Sequence, residues 1–270
     1  MHDMNHIVGS HDIVLLTLDT LRYDVAQNEL EQGRLPVLSR YISRWEPRHS
    51  PGSFTYAAHQ AFFAGFLPTP VDDPLAPRLM AVDFQGSRSV GAKTKVFEAA
   101  NIVEGLTNEG YHTICIGGVG FFNLQTPLGR VLPGMFHESH WREETGVTSP
   151  GSTCHQVDKA LEVLRHRRGD KRIFLFMNIS AIHQPNYFYH GEKVLRGITE
   201  DDLDSHAAAL RYADSQLGRL FDFFSFRRRT MFIICSDHGT CYGEDGYHGH
   251  RLASEVVWKV PYADFVMEAG

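Results

Sequence analysis

An apolar run that ends abruptly in metal-binding side chains constrains the fold of this chain more than any other feature. Residues 231–235 are apolar and rich in β-branched side chains, and Ser236, Asp237 and His238 follow them directly. Such a run is typical of a buried strand in a parallel sheet. Ligands in open α/β sheets bind beyond the carboxyl ends of the strands. The sequence therefore predicts that Asp237 and His238 lie where such sheets carry out chemistry.

The same pattern recurs near the start of the chain and again in its second half. Residues 13–18 form an apolar run that ends in Asp19, and residues 173–177 lead through a short segment to His183. A polar residue after a single strand is commonly a turn former or a helix N-cap. Because several strands end in this way, we expect their side chains to converge at one edge of one sheet. A set of carboxylates and imidazole suits Zn²⁺ or Mn²⁺ better than Ca²⁺, which prefers oxygen ligands.

A loop followed by a short helix supplies a hydroxyl group. Residues 50–55 are rich in turn formers, and the next residues have the pattern of a helix that stops at Gly65. Thr55 falls at or beside the N-cap, where free N–H groups suit phosphate or sulfate. A hydroxyl activated by a metal at this place can attack phosphorus or sulfur. The alternatives are that Thr55 only caps the helix and that His59 lies on its surface.

Residues 16–24, 53–65 and 236–246, in this order, resemble segments of the sulfatase-like branch of the alkaline phosphatase superfamily. The similarity extends from about residue 11 to about residue 266. It implies an alkaline-phosphatase-like core, which is a three-layer α/β sandwich around a mainly parallel sheet. Many relatives carry a large C-terminal subdomain that this sequence lacks. The groups that select the substrate are therefore expected to be missing or to come from another chain.

The resemblance also implies roles for individual residues. Asp19, Asp237 and His238 match the ligands of the first metal, and Thr55 matches the nucleophile that touches this metal. His183 and His250 match histidines that contact the anionic group of the substrate. We expect Zn²⁺ or Mn²⁺, with Mg²⁺ as a further option. One ion is favoured over two. The residues available to bind a second ion or the substrate are His59, Asp245 and His248.

Two departures from true sulfatases bear on the reaction. Thr55 stands where those enzymes carry the cysteine that matures to formylglycine, and His59 stands at their arginine position. This argues against sulfate ester hydrolysis by the formylglycine route. Threonine resembles the nucleophile of phosphatases, phosphodiesterases and phosphoethanolamine or phosphoglycerol transferases.

The function predicted from the sequence is metal-dependent hydrolysis of phosphate mono- or diesters or of phosphonates, through a covalent phospho-threonine. The alternatives are a phosphotransferase, a phosphosugar mutase, a sulfuric ester hydrolase and a non-catalytic metal-binding subunit of an assembly. The expected substrate is a small phosphorylated or sulfated molecule.

Composition narrows the class of protein and its partners. The 270 residues, 43% of them hydrophobic, are enough for one domain spanning 1–270, and no linker is evident. The net charge of −6 argues against a general nucleic-acid-binding surface. No segment approaches the roughly 18 apolar residues of a membrane span. The four cysteines, without a Cys-x-x-Cys pair, and an N-terminus unlike a secretory signal predict a cytoplasmic protein. A short relative with long loops is compatible with a homodimer.

Strands and helices alternate along the remaining sequence, which favours an α/β sandwich. Asp202 and His206, at helical spacing, are interpreted as a cap and part of a solvated face. The predicted helices are residues 35–45, 97–109, 153–167 and 201–224; residues 111–116 form a further strand, and residues 66–93 are mostly loop.

Overall fold

The computed structural model describes residues 2–65, 101–167 and 171–270, together with two short strands between the first two ranges. The predicted loop at 66–93 therefore lies almost entirely outside the described residues. In the described part of the chain, no helix combines the length and the apolar character needed to cross a membrane.

The regular elements alternate between strand and helix. The strands are β1 Asp12–Leu18, β2 Glu46–His49, β3 Arg78–Met80, β4 Thr94–Val96, β5 His112–Ile116, β6 Glu138–His140, β7 Ile173–Ile179, β8 Thr230–Cys235, β9 Cys241–Tyr242, β10 His248–Gly249 and β11 Lys259–Met267. The helices are α1 Met4–Ile7, α2 Tyr23–Glu31, α3 Thr55–Ala64, α4 Ile102–Asn108, α5 Ser152–His166, α6 Gly191–Arg196, α7 Leu203–Ser225 and α8 Glu255–Trp258. Short 3₁₀ turns connect several of them.

The main sheet has seven strands in the order β2-β11-β8-β1-β7-β5-β6. Its five strands from β8 to β6 are parallel, whereas β11 runs antiparallel to both β8 and β2. All seven residues of β7 are buried, as expected for a strand covered on both faces. The prediction of a central, mainly parallel sheet is confirmed.

Side chains of the sheet alternate between two hydrophobic cores, one on each face. On β1, Leu16 and Leu18 belong to the core that α2, α5 and α7 cover, whereas Ile13 belongs to the core that α3 and α4 cover. The period of two along a strand explains this division. Two helical layers on one sheet make a three-layer sandwich, which confirms the predicted architecture.

The parallel register brings the carboxyl ends of three central strands to one level. Thr17 of β1 pairs with Cys235 of β8 and with Asn178 of β7, and Leu18 pairs with Ile179. The residues that follow β1 and β8 therefore emerge side by side at the same edge of the sheet. This register is what places distant segments of the chain in one site.

The prediction of a helix at residues 35–45 is wrong. The structure has only a 3₁₀ turn there, at Leu38–Arg40. The buried carboxylate of Asp214, on α7, accepts hydrogen bonds from the N–H groups of Val37 at 3.0 Å and Leu38 at 2.8 Å. Because a tertiary partner satisfies these donors, the segment needs no helix to do so.

The other predicted elements differ from the structure mainly at their ends. The helices predicted at 153–167 and 201–224 correspond to α5 and α7. Only the part of the predicted helix 97–109 beyond residue 100 is described, and α4 occupies it. Asp202 caps α7 as expected, but His206 is fully buried, so the predicted solvated face is wrong. The sequence did not predict β2, β6 or β11.

Substituting Asp214 tests its structural role. Asp214→Ala leaves two buried N–H groups without an acceptor, so the free energy of unfolding should fall by about 2–4 kcal/mol. Denaturation in urea measures this change. Asp222→Ala, at an exposed position of the same helix, is the control and should stay within about 0.5 kcal/mol of the wild type. Equal effects of the two substitutions would contradict the assignment.

Candidate metal centre

Asp19, Asp237 and His238 meet beyond the carboxyl ends of β1 and β8. One potential ligand atom from each of the three lies within 4.8 Å of the others, and all three side chains are fully buried. Among the described residues, this is the one such group of three or more His, Cys, Asp or Glu side chains. The structure thus brings together the residues that the sequence suggested as ligands of the first metal.

The turns after the two strands shape this meeting point. Thr20, directly after Asp19, has a positive φ of 63°, which is uncommon for a β-branched residue and strains the backbone. In this conformation its N–H group donates to Asp237 Oδ1 at 3.2 Å. Gly239 follows His238, and a Cβ at this position would overlap the carbonyl oxygen of Val256. Only glycine therefore lets the chain pass so close to its neighbour.

Two carboxylate oxygens in the cluster point at a common space without a hydrogen-bond partner among the described residues. They are Asp19 Oδ1 and Asp237 Oδ2. Burial and repulsion by Asp237 raise the pKa of Asp19 to about 6. Burial raises the pKa of Asp237 to about 7. Buried, unpartnered carboxylates are costly unless a cation neutralises them, so the donor set fits a divalent metal ion.

The ring of His238 presents the correct nitrogen to this space. Its Nδ1 lies 2.9 Å from the carbonyl oxygen of Gly239, which can only accept, so Nδ1 carries the hydrogen. Its Nε2 therefore holds a lone pair and lies 3.5 Å from Asp237 Oδ2. Burial lowers the pKa of His238, which keeps the ring neutral. A neutral imidazole fixed by a carbonyl is the usual form of a histidine metal ligand.

Thr55 is the first residue of α3 and lies at the edge of the three ligands. Its Oγ1 is 3.4 Å from Asp19 Oδ2 and 3.3 Å from His238 Nε2, and the side chain is almost fully buried. The helix that begins here directs its free N–H groups and the positive end of its dipole towards the same space. The structure therefore joins the predicted nucleophile to the predicted metal ligands.

His183 and His250 lie on the open side of the cluster, and both are half-buried. The ring centroid of His250 is 4.5 Å from that of His238 and 5.8 Å from that of His183. Burial, followed by the neighbouring His238 and His183, lowers the pKa of His250 to about 3. The structure thus brings the two histidines that the sequence suggested for substrate binding next to His238.

The three residues suggested for a second metal or for the substrate lie outside the ligand cluster of the described residues. Both ring nitrogens of His59 are occupied by Thr55 O, at 2.8 Å, and Thr17 Oγ1, at 3.0 Å. Because burial lowers the pKa of His59 to about 3, its approach of 3.7 Å to Asp237 is not an ion pair. Asp245, on the loop between β9 and β10, and His248, the first residue of β10, are exposed and are not members of the ligand cluster.

Comparison with known proteins identifies the family. The profile of the sulfatase family matches residues 11–263, nearly the whole chain. The chain belongs to the sulfatase family. No curated protein sequence matched it.

Solved structures of the alkaline phosphatase superfamily share the fold of this sulfatase-family protein. The periplasmic domain of phosphoethanolamine transferase EptC from Campylobacter jejuni has a TM-score of 0.64 and 15% identity, over 95% of this chain and 79% of that one. A superfamily protein from Vibrio parahaemolyticus has a TM-score of 0.58 and 19% identity, over 95% of this chain and 60% of that one.

A zinc complex of a related domain is also among the matches. The periplasmic domain of EptC from Escherichia coli, solved with Zn, has a TM-score of 0.64 and 11% identity, over 96% of this chain and 74% of that one. The alkaline-phosphatase-like core and the membership of the sulfatase-like branch are confirmed. Members of this superfamily use divalent metals, which agrees with the donor set of the cluster.

The sequence analysis did not single out two polar residues that lie beside the cluster. Asn178, in β7, donates to Asp19 Oδ2 at 2.9 Å and fixes this carboxylate. Arg22 is buried and bridges Asp24 and Glu244, which holds the loop after β9. A polar residue inside an apolar strand was the available signal for Asn178. Arg22 gave no such signal because its partner Glu244 is far away in the sequence.

The cost of the two buried carboxylates can be measured in metal-free protein. Asp237→Asn keeps an oxygen acceptor for Thr20 and His238 and places an amide donor towards Asp19. In urea at pH 7.5, we expect the metal-free variant to be more stable than the metal-free wild type by on the order of 1–2 kcal/mol, and Zn²⁺ to add no stability. Asp222→Asn should change neither value.

The dependence on pH provides a second signature of the same carboxylates. The folded pKa of Asp237, about 7, lies above its unfolded value of 3.8. The Asp237 carboxyl should therefore contribute a loss of stability to the metal-free wild type as the pH rises from about 4 to about 7. Asp237→Asn should reduce that loss. A metal-free variant that is less stable than the wild type, or that zinc still stabilises, would contradict this account.

Proposed function

We propose that this sulfatase-family protein is a metal-dependent phosphoesterase whose nucleophile is Thr55. The contacts of Thr55 Oγ1 with Asp19 and His238, at 3.4 Å and 3.3 Å, are the observation that carries the proposal. They place a hydroxyl group directly against a donor set that suits a divalent ion. A threonine cannot be converted to formylglycine, so this arrangement favours phosphate or phosphonate esters over sulfate esters.

The residues fit Zn²⁺ or Mn²⁺ held by Asp19, Asp237 and His238. A divalent ion bound there lowers the pKa of a neighbouring hydroxyl and offsets negative charge on the substrate. We favour one ion, because no second cluster of donors is found in the described part of the chain.

The side chains of this protein account for the remaining steps. Thr55 Oγ1 forms a bond to phosphorus while the bond between phosphorus and the leaving oxygen breaks, which gives a phospho-threonine and an alcohol. The N-terminal N–H groups of α3 stabilise charge on the phosphoryl oxygens. His183 hydrogen-bonds the carbonyl oxygen of Gln184 through Nδ1, so its Nε2 faces the site with a lone pair. From there it can take up the proton that Thr55 Oγ1 loses and pass it to the leaving oxygen. Water then attacks phosphorus and releases phosphate and Thr55.

A transferase is the second candidate, and the structural neighbours favour it. The similar domain from Campylobacter jejuni is a phosphoethanolamine transferase. In that case an acceptor alcohol, rather than water, would resolve the phospho-threonine. The first half of the reaction and its residues are the same for both candidates.

Thr55 variants and a panel of esters test the proposal. With aryl phosphate mono- and diesters, an aryl phosphonate and an aryl sulfate, we expect turnover of a phosphorus ester but not of the sulfate. Thr55→Ala should lower kcat by about 10³-fold or more. Thr55→Ser should keep measurable turnover because it keeps a hydroxyl group. Elemental analysis should find metal in the wild type and both variants.

The intermediate and the products separate the candidate functions. Acid quenching followed by peptide mass spectrometry should find a phosphorylated Thr55. Phosphate release in water supports the hydrolase, whereas transfer to added ethanolamine or glycerol supports the transferase. Movement of phosphate within a phosphosugar supports a mutase. Full activity of Thr55→Ala would refute the proposed nucleophile, and a metal-loaded protein that turns over no ester would favour a non-catalytic subunit.

A further inference from the structure

A chain of buried hydrogen bonds behind the candidate metal centre joins the backbone of Thr55 to the carboxylate of Asp19. His59 Nδ1 lies 2.8 Å from the carbonyl oxygen of Thr55, and His59 Nε2 lies 3.0 Å from Thr17 Oγ1. Asn178 Nδ2 then donates to Thr17 Oγ1 at 3.4 Å and to Asp19 Oδ2 at 2.9 Å. Every side chain in this series of hydrogen bonds is buried. The bridge therefore links two elements of the site that are distant in sequence.

The direction of each hydrogen bond in the bridge is fixed. The carbonyl oxygen of Thr55 can only accept, so His59 Nδ1 carries the hydrogen and Nε2 holds a lone pair. The hydroxyl of Thr17 must then donate to His59. The amide orientation of Asn178 is set independently, because its Oδ1 accepts from the N–H group of Val119 at 2.9 Å. Reversing any one bond would leave a buried polar group without a partner.

Aromatic rings hold His59 in this tautomer. Its ring lies edge-on to Phe122 and Phe176, with centroids 5.1 Å and 5.5 Å away. These neighbours offer no other hydrogen-bond partner and disfavour a charged imidazole. His59 is therefore a rigid spacer of fixed polarity between α3 and β1.

We propose that Thr17, His59 and Asn178 are positioning residues, which set the separation of Thr55 Oγ1 and Asp19 Oδ2 for the reaction. One end of the bridge fixes the first turn of the helix that carries Thr55, and the other end orients a metal ligand. A misplacement of about 1 Å can cost about 100-fold in rate. Loss of a residue that orients a ligand typically costs about 10–100-fold in metal affinity. The catalytic part rests on the proposed function, whereas the effect on metal binding does not.

Thr17→Val removes one hydroxyl from the middle of the bridge and keeps the shape of the side chain. Thr113→Val is a matched control. Thr113 is also a fully buried threonine of a central strand, and its hydroxyl also pairs with a histidine nitrogen, His137 Nδ1 at 2.9 Å. Both variants lose the hydrogen bonds of a buried threonine hydroxyl, but only Thr17 belongs to the bridge. A purely structural role would thus affect the two variants alike.

Three measurements below the unfolding transition decide between these roles. They are kcat and KM for the best phosphorus ester, the dissociation constant for Zn²⁺ by chelator competition, and the tautomer of His59 by nitrogen NMR. Thr17→Val should lower kcat about 10–100-fold with little change in KM and weaken zinc binding at least about tenfold. Thr17→Ser should restore both quantities, and Thr113→Val should leave both unchanged. His59 should be protonated on Nδ1 and not on Nε2.

His59→Gln separates the two ends of the bridge and replaces Thr17→Val if that variant does not fold. The Gln side chain keeps an acceptor for Thr17 but loses the bond to the Thr55 carbonyl. We expect kcat to fall while zinc affinity stays close to that of the wild type.

The inference is overturned if folded Thr17→Val and His59→Gln keep kcat and zinc affinity within about twofold of the wild type. It is also overturned if His59 is protonated on Nε2. If the wild type turns over no ester, the proposed function fails by itself. In that case, weakened zinc binding of Thr17→Val but not of Thr113→Val still supports the bridge, and equal binding by both overturns it.

Discussion

The burial of two neighbouring carboxylates, which the proposed cation would neutralise, is the constraint on which the rest of the candidate site depends. Asp19 and Asp237 are fully buried, and each keeps one oxygen without a hydrogen bond among the described residues. Burial raises the pKa of both carboxyls, and repulsion by Asp237 adds to the rise at Asp19. A fold of marginal stability tolerates such an arrangement only where it serves a purpose. In the proposed function, that purpose is to hold a divalent cation beside Thr55.

The parallel sheet makes this arrangement possible with only a few residues at the end of each strand. Each strand of β1, β7 and β8 contributes a side chain at its carboxyl end, and the register brings these ends level. The second half of the site is a helix N-terminus, which supplies Thr55 and its N–H groups. Strand ends and a helix start thus meet in one small site, where the proposed cation would bind, although the residues come from separate parts of the chain.

The sequence predicted the residues at strand ends well because burial and function leave the same signal there. Asp19, Asp237 and His238 each interrupt or follow an apolar run, and the structure brings them together. The same reasoning failed where tertiary contacts override local pattern. Asp214 satisfies the backbone of residues 37 and 38, which replaces the predicted helix, and His206 is buried against Arg22 and Tyr242 instead of facing solvent.

Residues that act through a neighbour were the hardest to find from the sequence. His59 was considered as a ligand or a surface residue, yet it uses both ring nitrogens inside the protein. Asn178 and Thr17 lie within strands and resemble ordinary sheet residues until the register is known. Their roles depend on hydrogen bonds of about 3 Å between segments more than 100 residues apart, and no local pattern encodes such contacts.

Anomalous X-ray scattering at the zinc edge, from a crystal grown with Zn²⁺, tests the central claim most directly. The account predicts a single strong peak within about 2.0–2.3 Å of an oxygen of Asp19, an oxygen of Asp237 and Nε2 of His238. Thr55 Oγ1 should be the nearest hydroxyl to that peak. Zinc bound elsewhere, with these three side chains left without a cation, would contradict it.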